Sequence, residues 1–228
     1  MNKFQVVEHF ISINGEGRRA GELALFIRFA GCNLNCRYCD TKWANQTVAY
    51  ESYTVEELLR LIKNSGVKNV TLTGGEPLLQ EDMPILLNML RMEPAFRIEI
   101  ETNGSVDITP FLGIGGSNKS SDNVTFTIDY KTASSGMEDR MCSSNYQKLR
   151  SLDTVKFVVG NRKDMLKGKE IIGEYHLIEK GCAIYFSPCF GDIEPAAIVE
   201  FLVEQRMNDV KLQLQMHKYI WEPDKRGV

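Results

Sequence analysis

The chain has 228 residues, 43% of them hydrophobic and 25% charged, proportions ordinary for a globular protein with one substantial core. Its 27 basic and 30 acidic side chains leave a formal charge of −3, which argues against a nucleic-acid or membrane partner. No apolar run approaches the ~18 residues that cross a bilayer and the opening residues lack a secretory pattern, so a cytoplasmic protein is expected.

Taken in chain order, residues 4–12 are read as an added opening strand, and ALFIRF at 24–29 as the first strand of a repeating series. A helix is predicted over 55–65: Thr54 is a good N-cap, Glu57 completes a capping box and Gly66 can end the helix. Val55, Leu58, Leu59 and Ile62 give it one apolar face. Strands follow at 70–73, 97–101, 124–129, 154–159, 183–186 and 211–215, short, β-branched or aromatic, and bounded by turn residues. Further helices are predicted at 83–92 and 195–207. Gly113 to Asn123 reads as a surface loop, so residues 1–228 are expected to form one domain.

Strand–helix repeats imply a parallel sheet. With six or seven units, a doubly wound sheet and an incomplete TIM-like barrel are both open, and either gathers chemistry at the carboxyl ends of its strands. The unusual residues do follow the strands: Cys32 to Thr41, Gly74 to Glu76, Thr102 to Gly104, Lys131 to Gly136, Gly160 and Asn161, Ser187 to Gly191, and then His217.

Of six cysteines, Cys32, Cys36 and Cys39 crowd into GCNLNCRYCDT at 31–41, while Cys142, Cys182 and Cys189 are scattered. A disulfide scaffold is smaller and spreads its cysteines more evenly. Three thiolates spaced C-x3-C-x2-C can wrap a four-iron cubane and leave one iron for a small chelating ligand, whereas closed zinc sites take four ligands in paired spacings. A structural zinc site, or merely buried cysteines, is the alternative reading. Gly31 permits a sharp turn beside the first ligand, and the ring of Tyr38 stands where it can shield a cluster or stack on a base. TGGEP at 73–77, after a strand, is a turn or a ligand loop.

The trio, with an aromatic residue before its last cysteine, resembles the motif of the radical S-adenosylmethionine superfamily. That resemblance implies a 4Fe–4S cluster on Cys32, Cys36 and Cys39 whose open iron is chelated by S-adenosylmethionine, and reductive cleavage of that cofactor to a 5′-deoxyadenosyl radical. It gives Gly74, Gly75 and Glu76 the methionyl end of the cofactor. Over nearly the whole chain the sequence is similar to the 7-carboxy-7-deazaguanine synthase family. SINGEG (12–17), FIRFAGCNLNC (26–36), CDT (39–41), ETNGS (101–105), DYKTASSGM (129–137), FSPCFGD (186–192) and LQLQMHKYIWEP (212–223) follow in the family's order.

This second resemblance implies an incomplete TIM-like (βα) barrel of about six to seven parallel strands with an N-terminal strand extension. It also implies conversion of 6-carboxy-5,6,7,8-tetrahydropterin to 7-carboxy-7-deazaguanine with loss of ammonia, in queuosine-type synthesis. Mg²⁺ on Thr41, a flavodoxin-type or other electron donor and a homodimer come with it. It assigns Ile13, Asn14, Gly15, Glu16, Arg28, Thr73, His217 and Pro223 to the pterin. Tyr38, Asp129, Tyr130, Lys131, Ser187, Pro188, Cys189 and Phe190 are assigned to S-adenosylmethionine. Arg28 also reads this way from chemistry alone, since its planar fork suits a carboxylate; the bland reading is an ordinary salt bridge. The sequence departs from the family in Asn14 where Gln is usual, in the DYK loop where Ser-Pro-Lys is common, and in having Asp224 to Val228 after Pro223. The rival function is a glycyl-radical activating enzyme, which shares the cluster spacing but has no use for Arg28 or Thr41.

Overall fold

Nine strands form one sheet in the order β3-β1-β2-β4-β5-β6-β7-β8-β9. They are β1 (Phe4–Ile13), β2 (Leu23–Phe29), β3 (Glu51–Tyr53), β4 (Asn69–Gly74), β5 (Arg97–Thr102), β6 (Val124–Tyr130), β7 (Thr154–Val159), β8 (Ala183–Pro188) and β9 (Val210–Leu212). The structure, a computed structural model, describes residues 3–45, 48–113, 122–223 and 225–228. Most of the loop expected over Gly113 to Asn123 lies outside the described residues.

β1 pairs antiparallel with β2 and with the short β3. From β2 to β9 every neighbouring pair is parallel, and the order never reverses. Right-handed crossovers that always step the same way lay all their helices on one face. That decides between the two architectures: the sheet is an open (βα) barrel with β9 at one edge and the β1–β3 pair at the other, with no switch point of the doubly wound kind.

The helices covering the outer face are α2 (Val55–Asn64), α3 (Met83–Arg91), α5 (Arg162–Glu174) and α6 (Pro195–Gln205); α1 (Lys42–Asn45), α4 (Ser144–Lys148) and α7 (His217–Ile220) are single turns. The capping box of α2 forms as predicted: the Glu57 amide donates to Thr54 Oγ1 at 3.2 Å and the Thr54 amide to Glu57 Oε2 at 2.7 Å. Leu58 and Ile62 are fully buried against the same core as Ile27, Leu72 and Ile100. Burying a side chain of this kind contributes roughly 1.5–3 kcal/mol.

Two expectations change. Residues 211–215 were expected as a strand, but pairing stops at Leu212, and His217 opens α7. The Gln213 amide still reaches Phe186 O at 2.9 Å; beyond it the chain turns its polar side chains to another loop. Asn161, placed on the rim from sequence, is the N-cap of α5, accepting from the Lys163 and Asp164 amides.

Along each parallel strand, residues alternate between the helix-covered core and the inner face. Leu25, Ile27 and Phe29 of β2 belong to the core, while Arg28 faces inward; Ile98 and Ile100 of β5 alternate with Glu99 and Glu101. The inner face is polar from strand to strand, with Thr73, Thr127, Asp129 and Lys156 continuing it.

Candidate active site

The inner face and the loops at the carboxyl ends of the strands enclose a cavity of about 750 Å³. It collects Cys32, Cys36, Cys39, Tyr38, Thr41, Gly74, Gly75, Asp129, Lys131, Pro188, Cys189, Phe190, Ile13, Gly15, Glu16, Arg28, Thr73, His217 and Pro223 on its wall. Four residues expected there, Asn14, Glu76, Tyr130 and Ser187, do not line it.

The cysteine loop is held by backbone. The Glu76 amide donates to Gly31 O at 2.8 Å and the Gly75 amide to Phe29 O at 3.0 Å. A Cβ on Gly75 would stand 1.9 Å from Gly31 O, so only glycine lets the two turns touch. These amides are therefore spent on seating the cysteine loop and are not offered to a ligand. Glu76 is wholly buried and accepts from the Leu78 and Asn103 amides at 3.0 and 2.7 Å and from Thr102 Oγ1 at 2.8 Å. Burial pushes its carboxyl up to about 7. It props Asn103, whose Nδ2 lies 3.5 Å from Cys32 Sγ.

The Leu34 amide also donates to Cys32 Sγ, at 3.4 Å, and Asn45 Nδ2 approaches Cys39 Sγ at 3.6 Å. Burial raises the Cys32 and Cys36 thiols, so metal would bind with release of protons. Among the described residues no three His, Cys, Asp or Glu side chains converge on a point fit for one metal ion. A cubane, which takes its cysteines on different irons, does not require that. Donors aimed at sulfur are what thiolate ligands of such a cluster use, so the residues fit the group.

A charged row crosses the inner face from beside Cys36. Lys131 Nζ is 2.5 Å from Asp129 Oδ2, and Lys156 Nζ is 3.5 Å from Asp129 Oδ1 and 3.3 Å from Glu16 Oε2. Burial alone would raise Asp129, but the two ammonium groups hold it below the usual carboxylate range. Burial would lower both lysines, yet the surrounding carboxylates keep them raised. Glu101 shares this row, and burial pushes its carboxyl up to about 7.

Arg28 stands directly across from Glu8 in the β1–β2 register, and its Nε donates to Glu8 Oε1 at 2.8 Å. Its guanidinium lies 5.8 Å from the Trp43 ring. The salt bridge is real, and among the described residues the two terminal nitrogens have no protein partner, so the fork still faces the cavity. Thr41 lies beside Cys39, with Oγ1 3.5 Å from its sulfur. Burial lowers His217, and its Nδ1 lies 2.8 Å from where a Cβ on Gly15 would be.

The four misplaced residues have plain reasons. Tyr130 is next to Asp129, so alternation turns it outward, onto Tyr146 and Phe157 at ring separations of 5.5 and 5.6 Å. Asn14 is buried beneath the wall with Oδ1 accepting from Thr71 at 2.9 Å; its Nδ2 has no partner among the described residues. Ser187 is buried and reaches Glu16 Oε1 at 3.4 Å. Glu76 serves the cysteine loop. In return the cavity contains Glu101, Lys156, Gln215 and Trp43, which sequence reasoning passed over. The signal was present, because charged residues at alternate positions of strands covered on both faces need a polar interior.

Residues 26–157 match the model of the Radical SAM superfamily. A 7-carboxy-7-deazaguanine synthase of Clostridium acetobutylicum is 53% identical over 226 residues, 99% of each chain. One of Chlorobaculum tepidum is 36% identical, covering 98% of this chain and 96% of that one. Among solved structures, QueE from Escherichia coli superposes with a TM-score of 0.70 at 23% identity, over 94% of this chain and 95% of that one; this likeness establishes the fold.

Proposed function

We propose, from the premise that the chain belongs to the 7-carboxy-7-deazaguanine synthase family of the Radical SAM superfamily, that it converts 6-carboxy-5,6,7,8-tetrahydropterin into 7-carboxy-7-deazaguanine with loss of ammonia. It is on this reading a carbon–nitrogen lyase. The observation that carries the assignment is one cavity holding both the cysteine trio and a separate polar wall of Glu16, Arg28, Thr73 and Glu101. Such a wall suits a small polar heterocycle.

Cys32, Cys36 and Cys39 would hold a 4Fe–4S cluster, which with S-adenosylmethionine would supply the radical chemistry of hydrogen abstraction. The chain's own residues bind, orient and neutralise. Arg28 offers its free nitrogens to the substrate carboxylate, as a fork-shaped cation does. Thr41 would hold Mg²⁺ beside the same carboxylate, completed by substrate and water. Glu16 and Thr73 take the hydrogen-bonding edge of the pterin. Lys131 and Asp129, Pro188, Cys189 and Phe190 line the side toward the cysteines and would hold the cofactor.

Among the described residues no helix is long and apolar enough to cross a membrane. A cytoplasmic homodimer served by a flavodoxin-type or other donor belongs to the same proposal and rests on the family. The test is direct. Anaerobically reconstituted protein is given the tetrahydropterin acid, S-adenosylmethionine, Mg²⁺ and reductant, and the carboxylated deazaguanine is sought by mass spectrometry. Cofactor cleavage without that product refutes the assignment.

A further inference from the structure

The segments that follow β1 and β9 lie side by side. Gly15 O accepts the Met216 amide at 3.1 Å. Glu16 Oε2 accepts Gln215 Nε2 at 3.3 Å. Gly17 is held at both polar groups by one side chain: its amide donates to Gln213 Oε1 at 2.8 Å, and its carbonyl accepts Gln213 Nε2 at 3.2 Å. Gln213 is itself fixed, buried and with its own amide on Phe186 O at 2.9 Å. The primary amide thus does what a neighbouring strand's peptide group would do, beside the β9 edge of the sheet.

We propose that Gln213 is a positioning residue for substrate, setting the place of Glu16 by gripping the peptide of Gly17; this rests on the reading of Glu16 as a pterin contact. Gln213 does not line the cavity, so any effect on substrate must pass through the loop. Gly17 itself is irreplaceable here, since its φ is +80° and a Cβ there would stand 2.9 Å from Glu99 Oε1. The far side of the loop is tied as well, by Arg18 to the main chain before β7 and β8. With Gln213 removed, the Gly17 end of the loop loses its hold, and Glu16 can pivot between the Met216 bond to Gly15 O and the Arg18 tie.

The experiment measures tetrahydropterin-acid affinity by anaerobic calorimetry on reconstituted protein with S-adenosylmethionine and no reductant, alongside KM and kcat. Gln213→Met should raise Kd and KM about tenfold, the effect of losing two modest hydrogen bonds, with a smaller change in kcat. Affinity for S-adenosylmethionine should stay within about twofold of wild type. Gln213→Glu should fall between, because a carboxylate accepts from the Gly17 amide but cannot donate to its carbonyl; it carries the comparison if Gln213→Met does not fold. The double variant Glu16→Gln, Gln213→Met should bind no more weakly than Glu16→Gln alone, since the second change acts through the first. Wild-type affinity in Gln213→Met, equal losses for substrate and cofactor, or multiplying losses in the double variant would overturn the proposal. Wild-type protein that does not bind the acid overturns the functional reading itself, whereas binding by wild type with an unaffected Gln213→Met overturns only this inference.

Discussion

Glu101 faces Lys156, Glu99, Glu16 and Thr73, and burial is the largest influence on it, lifting its carboxyl from the ordinary 4.5 to about 7. The folded state therefore binds this proton more tightly than the unfolded chain. The stability it contributes is complete below about pH 4.5 and is lost as pH rises through about 7. Glu101→Gln removes that loss, so the variant should gain on wild type by about 1–3 kcal/mol between about pH 5 and pH 8. Urea midpoints at the two pH values check this, and a pH-independent difference would show that Glu101 does not titrate in this range. Lys156 is the converse case. Gln215 and Ser187 also reach Glu16, but the Lys156 ammonium is shared between Glu16 and Asp129. Lys156→Met leaves Glu16 without a cation and Asp129 with Lys131 alone, and should cost about 3 kcal/mol of unfolding free energy; an unshifted urea midpoint would contradict the charge row. Residues in signature loops, the cysteines above all, were legible in the sequence because the loop chemistry names them. Glu101 and Lys156 show their strand alternation in the sequence, but which face becomes the cavity is set by long-range packing, so they were passed over.

At the scale of elements, α2 was readable to its cap because its signals are local. Thr54→Ala removes one half of the capping box and should lower stability by about 1 kcal/mol, read as a fall in melting temperature with cofactor and substrate binding unchanged. α5 was missed because Gly168 and Gly173 weaken its helical pattern. The structure gives a reason for the first: a Cβ on Gly168 would stand 2.8 Å from Phe186 Cζ and 3.3 Å from Phe157 Cδ1. Glycine there lets α5 lie close on β7 and β8, a requirement set by distant residues and invisible in a local window. The turn after β4 makes a sharper demand. Gly75→Ala drives a methyl into Gly31 O, beside Cys32, and the cysteine loop must lift away. Reconstituted Gly75→Ala protein should carry well under half the iron of wild type; full iron loading would mean the two turns are not in contact.

At the scale of the molecule, the strand–helix repeat was legible, and choosing between barrel and doubly wound sheet from residues alone was not. That choice depends on which strands become neighbours, and strand order is a property of long-range pairing. The open side depends on such pairing too. Arg18 reaches Ser151 O at 2.6 Å, Asp153 O at 3.0 Å and Gly181 O at 3.3 Å, tying the loop to the end of the barrel opposite the cysteines. Arg18→Ala should speed amide hydrogen exchange over residues 15–22 while β5 and β6 keep their protection; unchanged exchange in the loop would remove Arg18 as a tie. The bond between Gly17 and Gln213 joins residues 196 apart in sequence. A ribosome therefore delivers the cysteine loop, residues 31–41, long before the glutamine that holds the Gly17 peptide. The cysteine loop can settle on its seat at Gly75, Glu76 and Asn103 when half the chain has emerged, whereas the turn at Gly17 waits for almost the last residues to be made.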